Sequence, residues 1–273
     1  MKVLLIGSHG MLGQELVQVF IDQDLVAWDT EEIDITNKDQ VLRKIKALKP
    51  QVIINAAAYT AVDDCEEKQE LALAVNGEGP GYLAEIAKEI QAKLIHYSTD
   101  YIFSGEKDDG YDEEFNEIDP VNVYGESKAV GEAKIKASGC EYYIIRTAWL
   151  YGSGGNNFVD TMIKLGIDKD ELKIVNDQHG CPTYAVDLAM TTKKMVDEKK
   201  ATGIYHVTNS GHCTWCEFAQ EIFKLKNILV KVIPCASAEF PRPAKRPKYS
   251  ILLNTKLAKI RPWQEALKEY LEK

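Results

Sequence analysis

A tyrosine and a lysine one helical turn apart are the pair best suited to chemistry in this sequence. They are Tyr124 and Lys128 in Tyr-Gly-Glu-Ser-Lys, a spacing that puts both side chains on one helix face. A phenol with a pKa near ~10 is a sluggish acid at neutral pH, and an adjacent ammonium is expected to lower that pKa and ease proton exchange. The same ammonium could hold the ribose hydroxyls of a dinucleotide. This spacing is also common on solvated helices, so its setting matters.

A short polar segment supplies the next candidate. Ser98-Thr99-Asp100-Tyr101 directly follows the apolar run Leu94–Tyr97, which predicts a buried strand. Ligands of open α/β sheets bind at the carboxyl ends of the strands. We therefore expect the Thr99 hydroxyl to bind a substrate carbonyl beside Tyr124. The alternative role of Thr99 is a strand-end turn.

A glycine-rich turn lies near the amino terminus. Gly7-Ser-His-Gly10-Met-Leu-Gly13 follows a predicted strand and opens a predicted helix. Gly7 would permit the tight turn, Gly10 the approach of a pyrophosphate, and Gly13 close packing of helix on strand. The helix amino terminus would offer free N–H groups and a positive dipole end to the phosphates. The spacing is GxxGxxG, not GxGxxG, and an ordinary strand-to-helix loop is the alternative.

Residues after the next two strands support a dinucleotide site. Asp29 ends the second predicted strand, where an acid can accept hydrogen bonds from a ribose 2′-hydroxyl. Its carboxylate would repel a 2′-phosphate, which favours NADH over NADPH. Asp34-Ile35 precedes a helix and has a turn or cap as its alternative role. The small residues Ala56–Ala58, after Asn55, are typical of backbone passing close to a ligand.

The elements that must position these residues alternate between short apolar runs and amphipathic segments, which indicates βαβ units. We predict an α/β, Rossmann-type doubly wound parallel sheet in residues 1–150, the NAD(P)-binding domain. Residues 151–273 are expected to form mainly a smaller substrate domain, with chain crossings between the two. The predicted strands are Val3–Ile6, Leu25–Trp28, Val52–Asn55, Leu94–Tyr97, Tyr142–Arg146 and Leu172–Val175. The predicted helices are Met11–Phe20, Gln40–Leu48, Leu71–Ile90, Tyr124–Ala137, Val186–Val196, Trp215–Leu225 and Pro262–Leu271.

Composition narrows the class of protein. A net charge of −9 argues against a nucleic-acid surface. No apolar run is long enough for a membrane span, and the scattered cysteines suit a reducing compartment, so we expect the cytoplasm. Cys213-Thr-Trp-Cys216 lacks a second CxxC or an HxxxH to complete a metal site. Structural thiols are expected there, a metal or redox pair being the alternative, and Thr214 with Glu217 predicts a helix capping box.

Longer motifs give the chain a resemblance over nearly its whole length. They are Asn55-Ala-Ala-Ala-Tyr-Thr60 with Val62-Asp63, His96-Tyr-Ser-Thr-Asp-Tyr-Ile-Phe103, Pro120-Val-Asn-Val-Tyr-Gly125, Arg146-Thr-Ala-Trp-Leu-Tyr-Gly152, Asp177-Gln-His-Gly-Cys-Pro-Thr183 and Arg246-Pro-Lys-Tyr-Ser250. The chain resembles the extended short-chain dehydrogenase/reductases, and within them the reductases of dTDP-linked 4-keto sugars. The resemblance implies NADH-dependent reduction, with NADPH possible, of the 4-keto group of dTDP-4-dehydro-L-rhamnose to dTDP-L-rhamnose.

The resemblance also implies site residues. Thr99, Tyr124 and Lys128 match the family's catalytic triad. The expected substrate contacts are Thr99, Asp100, Tyr124 and Trp149. The expected cofactor contacts are Gly7, His9, Gly10, Met11, Leu12, Asp29, Asp34, Ile35, Ala56, Ala57, Ala58, Tyr59, Tyr97, Tyr124 and Lys128.

Some features of the family are left open. Its magnesium-linked dimerisation cannot be placed on any residue of this sequence, so we assign no metal ligands, leave Mg²⁺ uncertain and regard a homodimer as possible. Asn254 stands where relatives often carry aspartate, and we expect only a structural consequence. Arg242 and Arg246 lie in a proline-rich segment. They could bind a diphosphate, although such residues more often lie in a solvated loop.

Three other functions share features with this sequence. Reduction of another nucleotide-linked 4-keto sugar cannot be separated from the first by sequence. A sugar-nucleotide dehydratase would need an Asp-Glu pair after the threonine, and this chain has Asp100-Tyr101. A non-catalytic dinucleotide-binding regulatory subunit, which also resembles this family, is disfavoured by the intact set Thr99, Tyr124 and Lys128.

Overall fold

A six-stranded parallel sheet forms the centre of the protein, whose computed structural model describes residues 1–273. Its strands are β1 Lys2–Ile6, β2 Asp24–Trp28, β3 Val52–Asn55, β4 Lys93–Thr99, β5 Glu141–Thr147 and β10 Gly203–His206. Their spatial order is β2-β1-β3-β4-β5-β10, and every neighbouring pair is parallel. The order reverses between β1 and β3, and such a switch point is where open α/β sheets bind ligands.

Helices cover both faces of this sheet, as the doubly wound prediction requires. On one face, α1 (Met11–Val19) and α8 (Ala185–Asp197) enclose a core that includes Leu5, Leu16 and Leu188. The opposite face is covered by α2 (Lys38–Leu48), α5 (Gly79–Glu89) and α6 (Val123–Ser138). The predicted fold class is therefore confirmed. Because both faces are covered, the strands are near-continuous apolar runs.

A smaller body packs beside the sheet around an aromatic-rich core with Phe218, Phe223 and Trp263. Its helices are α7 Phe158–Asp168, α9 Trp215–Lys226 and α10 Trp263–Glu272. Its strands are β6 Leu150–Tyr151, β7 Glu171–Val175, β8 His179–Gly180, β9 Thr183–Tyr184, β11 Cys213–Thr214, β12 Lys231–Cys235 and β13 Tyr249–Ser250. Two elements beyond residue 150, α8 and β10, return to the large sheet and form chain crossings. The boundary at residue 150 stays a prediction.

The helix predicted over Leu71–Ile90 is confirmed in extent but not in regularity. The chain is helical without a break from α4 (Gln69–Leu73) through a π-helical turn (Ala74–Glu78) to the end of α5, and a short helix, α3 (Val62–Glu67), precedes it. Pro80 has no N–H to donate to the carbonyl of Asn76 four residues earlier, so the regular helical ladder cannot continue. That carbonyl lies against α6, where a Cβ on Gly131 would come within 2.3 Å of it.

Two boundaries that matter for the site also differ from the sequence prediction. Strand β4 runs two residues further than expected, so Thr99 is its last residue. Helix α6 begins one residue early, at Val123, because the Asn122 side chain accepts a hydrogen bond from the Gly125 N–H and caps the first turn.

The segment from Cys213 to Cys216 lies in the core of the smaller body. Cys213 and Cys216 are buried free thiols, one in β11 and the other in α9. The predicted capping box is confirmed: Thr214 accepts from the Glu217 N–H, and the Glu217 carboxylate accepts from the Thr214 N–H. A membrane span would need a longer and more apolar helix than any in this fold.

Candidate active site

The glycine turn leaves the amino terminus of α1 open. Gly7 has a φ of +84°, and a Cβ there would lie 2.6 Å from the amide nitrogen of Ala57. A Cβ on Gly13 would lie 2.0 Å from the Gly7 carbonyl oxygen, so helix and turn can touch only through glycine. A Cβ on Gly10 would meet no heavy atom closer than 3.5 Å, and no side chain caps the helix. The free N–H groups of α1 therefore suit a phosphate.

Two clefts meet at this helix terminus and share Gly10, Ala56 and Ala58. One has a volume of about 540 Å³, and its lining includes Gly7, Asp29, Asp34, Ile35, Ala57 and Tyr59. The other has a volume of about 420 Å³, and its lining includes Met11, Leu12, Tyr97, Thr99, Asp100, Tyr124, Lys128 and Trp149. Two clefts joined at a helix amino terminus fit the two halves of a dinucleotide with its pyrophosphate between them.

Asp29 lies at the rim of the first cleft with its carboxylate held by backbone. Its two oxygens accept hydrogen bonds from the N–H groups of His9 and Thr30, each at 2.8 Å. Burial opposes ionisation, but these bonds outweigh it and lower the pKa of Asp29 below its ordinary value. The side chain is therefore an anion at neutral pH. The largely exposed His9 ring lies 3.9 Å from this carboxylate.

Asn76, in the π-helical turn, fixes the segment between the two clefts and was missed by sequence reasoning. Its Oδ1 accepts from the Tyr59 N–H at 2.8 Å, and its Nδ2 donates to the Tyr59 carbonyl at 3.0 Å. The same Nδ2 donates to Ser127 Oγ in α6. The Tyr59 phenol donates to Asp64. Asn76 thus links α6, which carries Tyr124, to the backbone beside Ala58.

Thr99 and Tyr124 face each other across the second cleft. Thr99 Oγ1 donates to Asp100 Oδ1 at 2.9 Å and accepts from the Tyr101 N–H at 3.2 Å. Burial and the charge of Asp100 raise the pKa of Tyr124 well above its ordinary value, and the nearby Thr99 hydroxyl acts in the opposite direction. At neutral pH the phenol therefore keeps its proton.

The expectation that Lys128 lowers the pKa of Tyr124 is wrong in this structure. The side chain of Lys128 is buried, and its Nζ donates to the Tyr97 carbonyl and lies 3.4 Å from His96 Nε2. The amine is thus directed at β4, away from the phenol. Burial lowers the pKa of Lys128 to about 8, against the opposing charge of Glu132.

Tyr97 contributes mainly through its backbone. Its hydroxyl lies 2.8 Å from Thr192 Oγ1 of α8, and its ring packs in the core between the sheet and that helix. Tyr97 borders the second cleft, but its phenol faces the opposite side of the sheet from Lys128. The phenol of Tyr97 therefore cannot make the expected cofactor contact, which would have to come from the part of the residue that lines the cleft.

Asp100 brings a carboxyl oxygen without a hydrogen-bond partner to the second cleft. Its carboxyl is buried, and Oδ2 has no hydrogen-bond partner. Burial raises its pKa to about 6, although the nearby Ser250 hydroxyl and the Thr99 hydroxyl oppose this shift. A buried oxygen without a partner is costly, so a ligand hydroxyl placed there would be bound favourably.

Trp149 lines the same cleft and also joins the two bodies. It is a non-glycine residue with a φ of 45°, a conformation that is rare for a bulky side chain. Its indole stacks on Trp215 of α9 with ring centroids 3.4 Å apart. A Cβ on Gly180 would lie 2.3 Å from the indole, so that residue must be glycine. Trp149 therefore combines the cleft-lining and packing roles.

A third cleft of about 490 Å³ lies beyond Trp215 and contains both predicted diphosphate partners, Arg242 and Arg246. Arg246 NH1 donates to Asp63 Oδ1 in α3, which ties the 240–248 segment to the sheet body. Arg242 is exposed. Tyr101 borders this cleft and packs edge-on against Tyr124, with ring centroids 5.9 Å apart.

Comparison with known proteins gives this site its family. The family described as RmlD substrate binding domain matches residues 1–273, the whole chain. The dTDP-4-dehydrorhamnose reductase of Aggregatibacter actinomycetemcomitans is 42% identical, over 98% of this chain and 97% of the relative. The chain belongs to the RmlD family. That family lies within the extended short-chain dehydrogenase/reductases, so the resemblance inferred from sequence is confirmed.

Crystal structures of RmlD-family proteins share the whole fold. A dTDP-4-dehydrorhamnose reductase from Clostridium acetobutylicum superposes with a TM-score of 0.96 at 48% identity, covering 100% of this chain and 99% of that one. The enzyme of the same name from Bacillus anthracis, solved with NADP, has a TM-score of 0.95 at 40% identity, covering 99% and 98% of the two chains. A nicotinamide dinucleotide is therefore the cofactor type of this RmlD-family site.

Proposed function

We propose that this protein reduces the 4-keto group of dTDP-4-dehydro-L-rhamnose to give dTDP-L-rhamnose, with NADH or NADPH as the reductant. The observation that carries the proposal is the grouping of Thr99, Tyr124 and Lys128 in one cleft that opens on the free amino terminus of α1. Full-length relatives named for this reaction support the choice of substrate.

The residues present fit a bound dinucleotide. The N–H groups at Gly10 and Met11 would hold the pyrophosphate, Asp29 the adenosine ribose and Lys128 the nicotinamide ribose. When bound, the reduced nicotinamide supplies the hydride that adds to C4 of the sugar. The protein's part is to orient the sugar, exclude water and provide the proton.

Tyr124 is the proton donor in this mechanism. Its phenol is protonated at neutral pH because burial raises its pKa, so it can donate to the carbonyl oxygen as the hydride arrives. The Thr99 hydroxyl, which lines the same cleft, would turn from Asp100 to donate to the same oxygen. Lys128 lies on the same helix, but its amine is directed at β4, so its part is to hold the nicotinamide ribose.

We assign substrate selection to other residues of the second cleft and to the third cleft. Oδ2 of Asp100 would accept a sugar hydroxyl, and the Trp149 indole would lie against the deoxysugar. Arg242 and Arg246 would bind the diphosphate, since planar guanidinium groups suit phosphate oxygens. Binding energy from the nucleotide would then position the sugar at Tyr124.

The test is an assay of the purified protein with dTDP-4-dehydro-L-rhamnose and NADH or NADPH, followed by loss of reduced-nicotinamide absorbance. We expect one cofactor molecule to be oxidised for each sugar reduced. Oxidation only with a different nucleotide-linked 4-keto sugar would reassign the substrate, and none with any such sugar would contradict the proposal.

Three further features stay predictions of this proposal. They are a homodimer, a location in the cytoplasm and the uncertain Mg²⁺ requirement. Light scattering of the purified protein measures its oligomeric state. The same assay with and without EDTA tests the metal dependence.

A further inference from the structure

His96 is a buried histidine in β4 that the mechanism above does not use. Its two ring nitrogens face two different side chains. Nδ1 lies 3.1 Å from Nδ2 of Asn55 in β3, and Nε2 lies 3.4 Å from Nζ of Lys128 in α6. None of the three side chains is more than 2% exposed. The ring therefore bridges the third strand and the candidate catalytic lysine.

The amide of Asn55 determines which nitrogen of His96 carries the proton. Oδ1 of Asn55 accepts a hydrogen bond from the Ala57 N–H at 3.2 Å, so its NH₂ end faces His96. Nδ1 of His96 must then accept, and a neutral ring has its proton on Nε2. Burial and the charge of Lys128 keep the pKa of His96 well below its ordinary value, so the ring is neutral. Its Nε2–H faces Lys128.

We propose that His96 is a positioning residue: the Asn55–His96 pair holds Lys128 in place by presenting one N–H to its amine, and it links that amine to the Ala57 backbone beside the cofactor cleft. This inference rests on the proposed function, in which Lys128 binds the cofactor. A neutral amine can accept the Nε2–H, whereas an ammonium cannot. The contact therefore favours the neutral form of Lys128 and brings its proton exchange nearer to neutral pH.

The other groups around Lys128 act differently. Glu132, one turn later in α6, favours the ammonium, but it is itself bound by Ser98 of β4 and Arg146 of β5. The Tyr97 carbonyl accepts from either form of the amine. Tyr124 lies one turn earlier in α6, and Asp100, which raises its pKa, lies in the turn after β4.

Two substitutions separate the contacts of His96. His96→Asn leaves an acceptor for Asn55 but is too short to reach Lys128. His96→Gln reaches Lys128 and offers it an amide oxygen, which favours the ammonium. Ile95→Val, on the same strand with its side chain in the core on the other face, is the matched control for loss of packing.

The measurement is the pH dependence of kcat and of NADH binding for each variant that melts cooperatively. Above neutral pH, we expect the fall in kcat and in NADH affinity to move to higher pH by about half a unit or more in both His96 variants. Each variant removes an N–H that opposes the ammonium form of Lys128. Ile95→Val should leave the pH of this fall unchanged. The proposal would be overturned if this fall occurred at the same pH in both His96 variants as in the unsubstituted protein, or if it shifted equally in the control.

A second measurement uses the unsubstituted protein and needs no catalytic turnover, so it tests the proposal even if the His96 variants do not fold. The ¹⁵N spectrum of the histidine-labelled protein reports the tautomer of each ring, and His96 is expected to be neutral with its proton on Nε2 through the physiological range. A proton on Nδ1, or a charged ring near neutral pH, would refute the arrangement. If the protein fails to reduce the sugar, the proposed function falls, while the tautomer and NADH binding still decide the role of His96.

Discussion

The surroundings of individual residues at the second cleft set their protonation states and therefore their roles. Tyr124 is kept protonated by burial and by the charge of Asp100, which suits a donor in a reduction. Lys128 is made easier to deprotonate by the same burial. The sequence identified both residues from their spacing. It could not show that the lysine is directed at Tyr97 and His96, because those contacts depend on how α6 lies on β4.

Tyr124→Phe removes the transferable proton and little else. We expect cofactor binding to be kept and kcat to fall by at least about 100-fold, the usual contribution of a general acid. Steady-state kinetics and a fluorescence titration with NADH measure the two effects. Tyr82→Phe, at a half-buried tyrosine of α5 that lines neither of the first two clefts, is the matched control and should behave as the unsubstituted protein. Near-normal turnover in Tyr124→Phe would remove this residue from the acid role.

Asp29 is expected to make NADH the preferred cofactor by repelling a 2′-phosphate. Because its carboxylate also holds the turn at His9, Asp29→Asn is the sharper test: it removes the charge and keeps an acceptor. Initial rates with NADH and NADPH should differ several-fold in the unsubstituted protein and draw together in the variant. A clear NADPH preference before substitution, consistent with the NADP-bound relative, would contradict this assignment.

Whole elements were predicted best where one periodicity runs without interruption. The βα units up to β5 follow from apolar runs and glycine turns, and α6 is off by one residue at each end. The π-helical turn was not foreseen, because it depends on a proline and on packing of the Asn76 carbonyl against Gly131. The short strand β10 was missed for a similar reason. It is stabilised by pairing with β5 rather than by a pattern of its own.

The π-helical turn should matter for the cofactor because Asn76 holds the backbone at Tyr59. Asn76→Ala would leave buried polar groups without partners, a cost of about 1–3 kcal/mol in the free energy of unfolding. We expect weaker NADH binding as well as a lower Tm. Asn227→Ala, at the left-handed carboxyl cap of α9, should lower Tm without affecting NADH. Equal NADH affinity in Asn76→Ala and the unsubstituted protein would show that this turn only supports the fold.

At the scale of the whole molecule, the chain passes repeatedly between its two bodies. Helix α8 and β10 complete the sheet after the smaller body has begun, so the sequence order gives no clean boundary. The third cleft is likewise assembled from α3, the 240–248 segment and α9. Sequence motifs could mark the cofactor half of the site. The substrate half could not be built from them, because its walls come from distant parts of the chain.

Trp149 tests whether the junction of the two bodies is also a substrate contact. Trp149→Ala should raise the substrate KM or lower kcat and leave NADH affinity unchanged, while loss of the stack on Trp215 lowers stability by about 1 kcal/mol. Trp263→Phe, in the core of the smaller body, is the control for lost packing and should keep the substrate KM. If Trp149→Ala instead lost cofactor and substrate binding together and had a much lower Tm, the role of Trp149 would be purely structural.

Transfer of deuterium from the cofactor to the sugar tests whether this protein catalyses the proposed reduction. The protein is incubated with dTDP-4-dehydro-L-rhamnose and NADH carrying deuterium at the transferable C4 position of the nicotinamide, and the sugar product is examined by NMR. We expect dTDP-L-rhamnose with deuterium at C4 of the sugar, formed by the unsubstituted protein and scarcely by Tyr124→Phe. Deuterium at another carbon, or cofactor oxidation without labelled rhamnose, would contradict it.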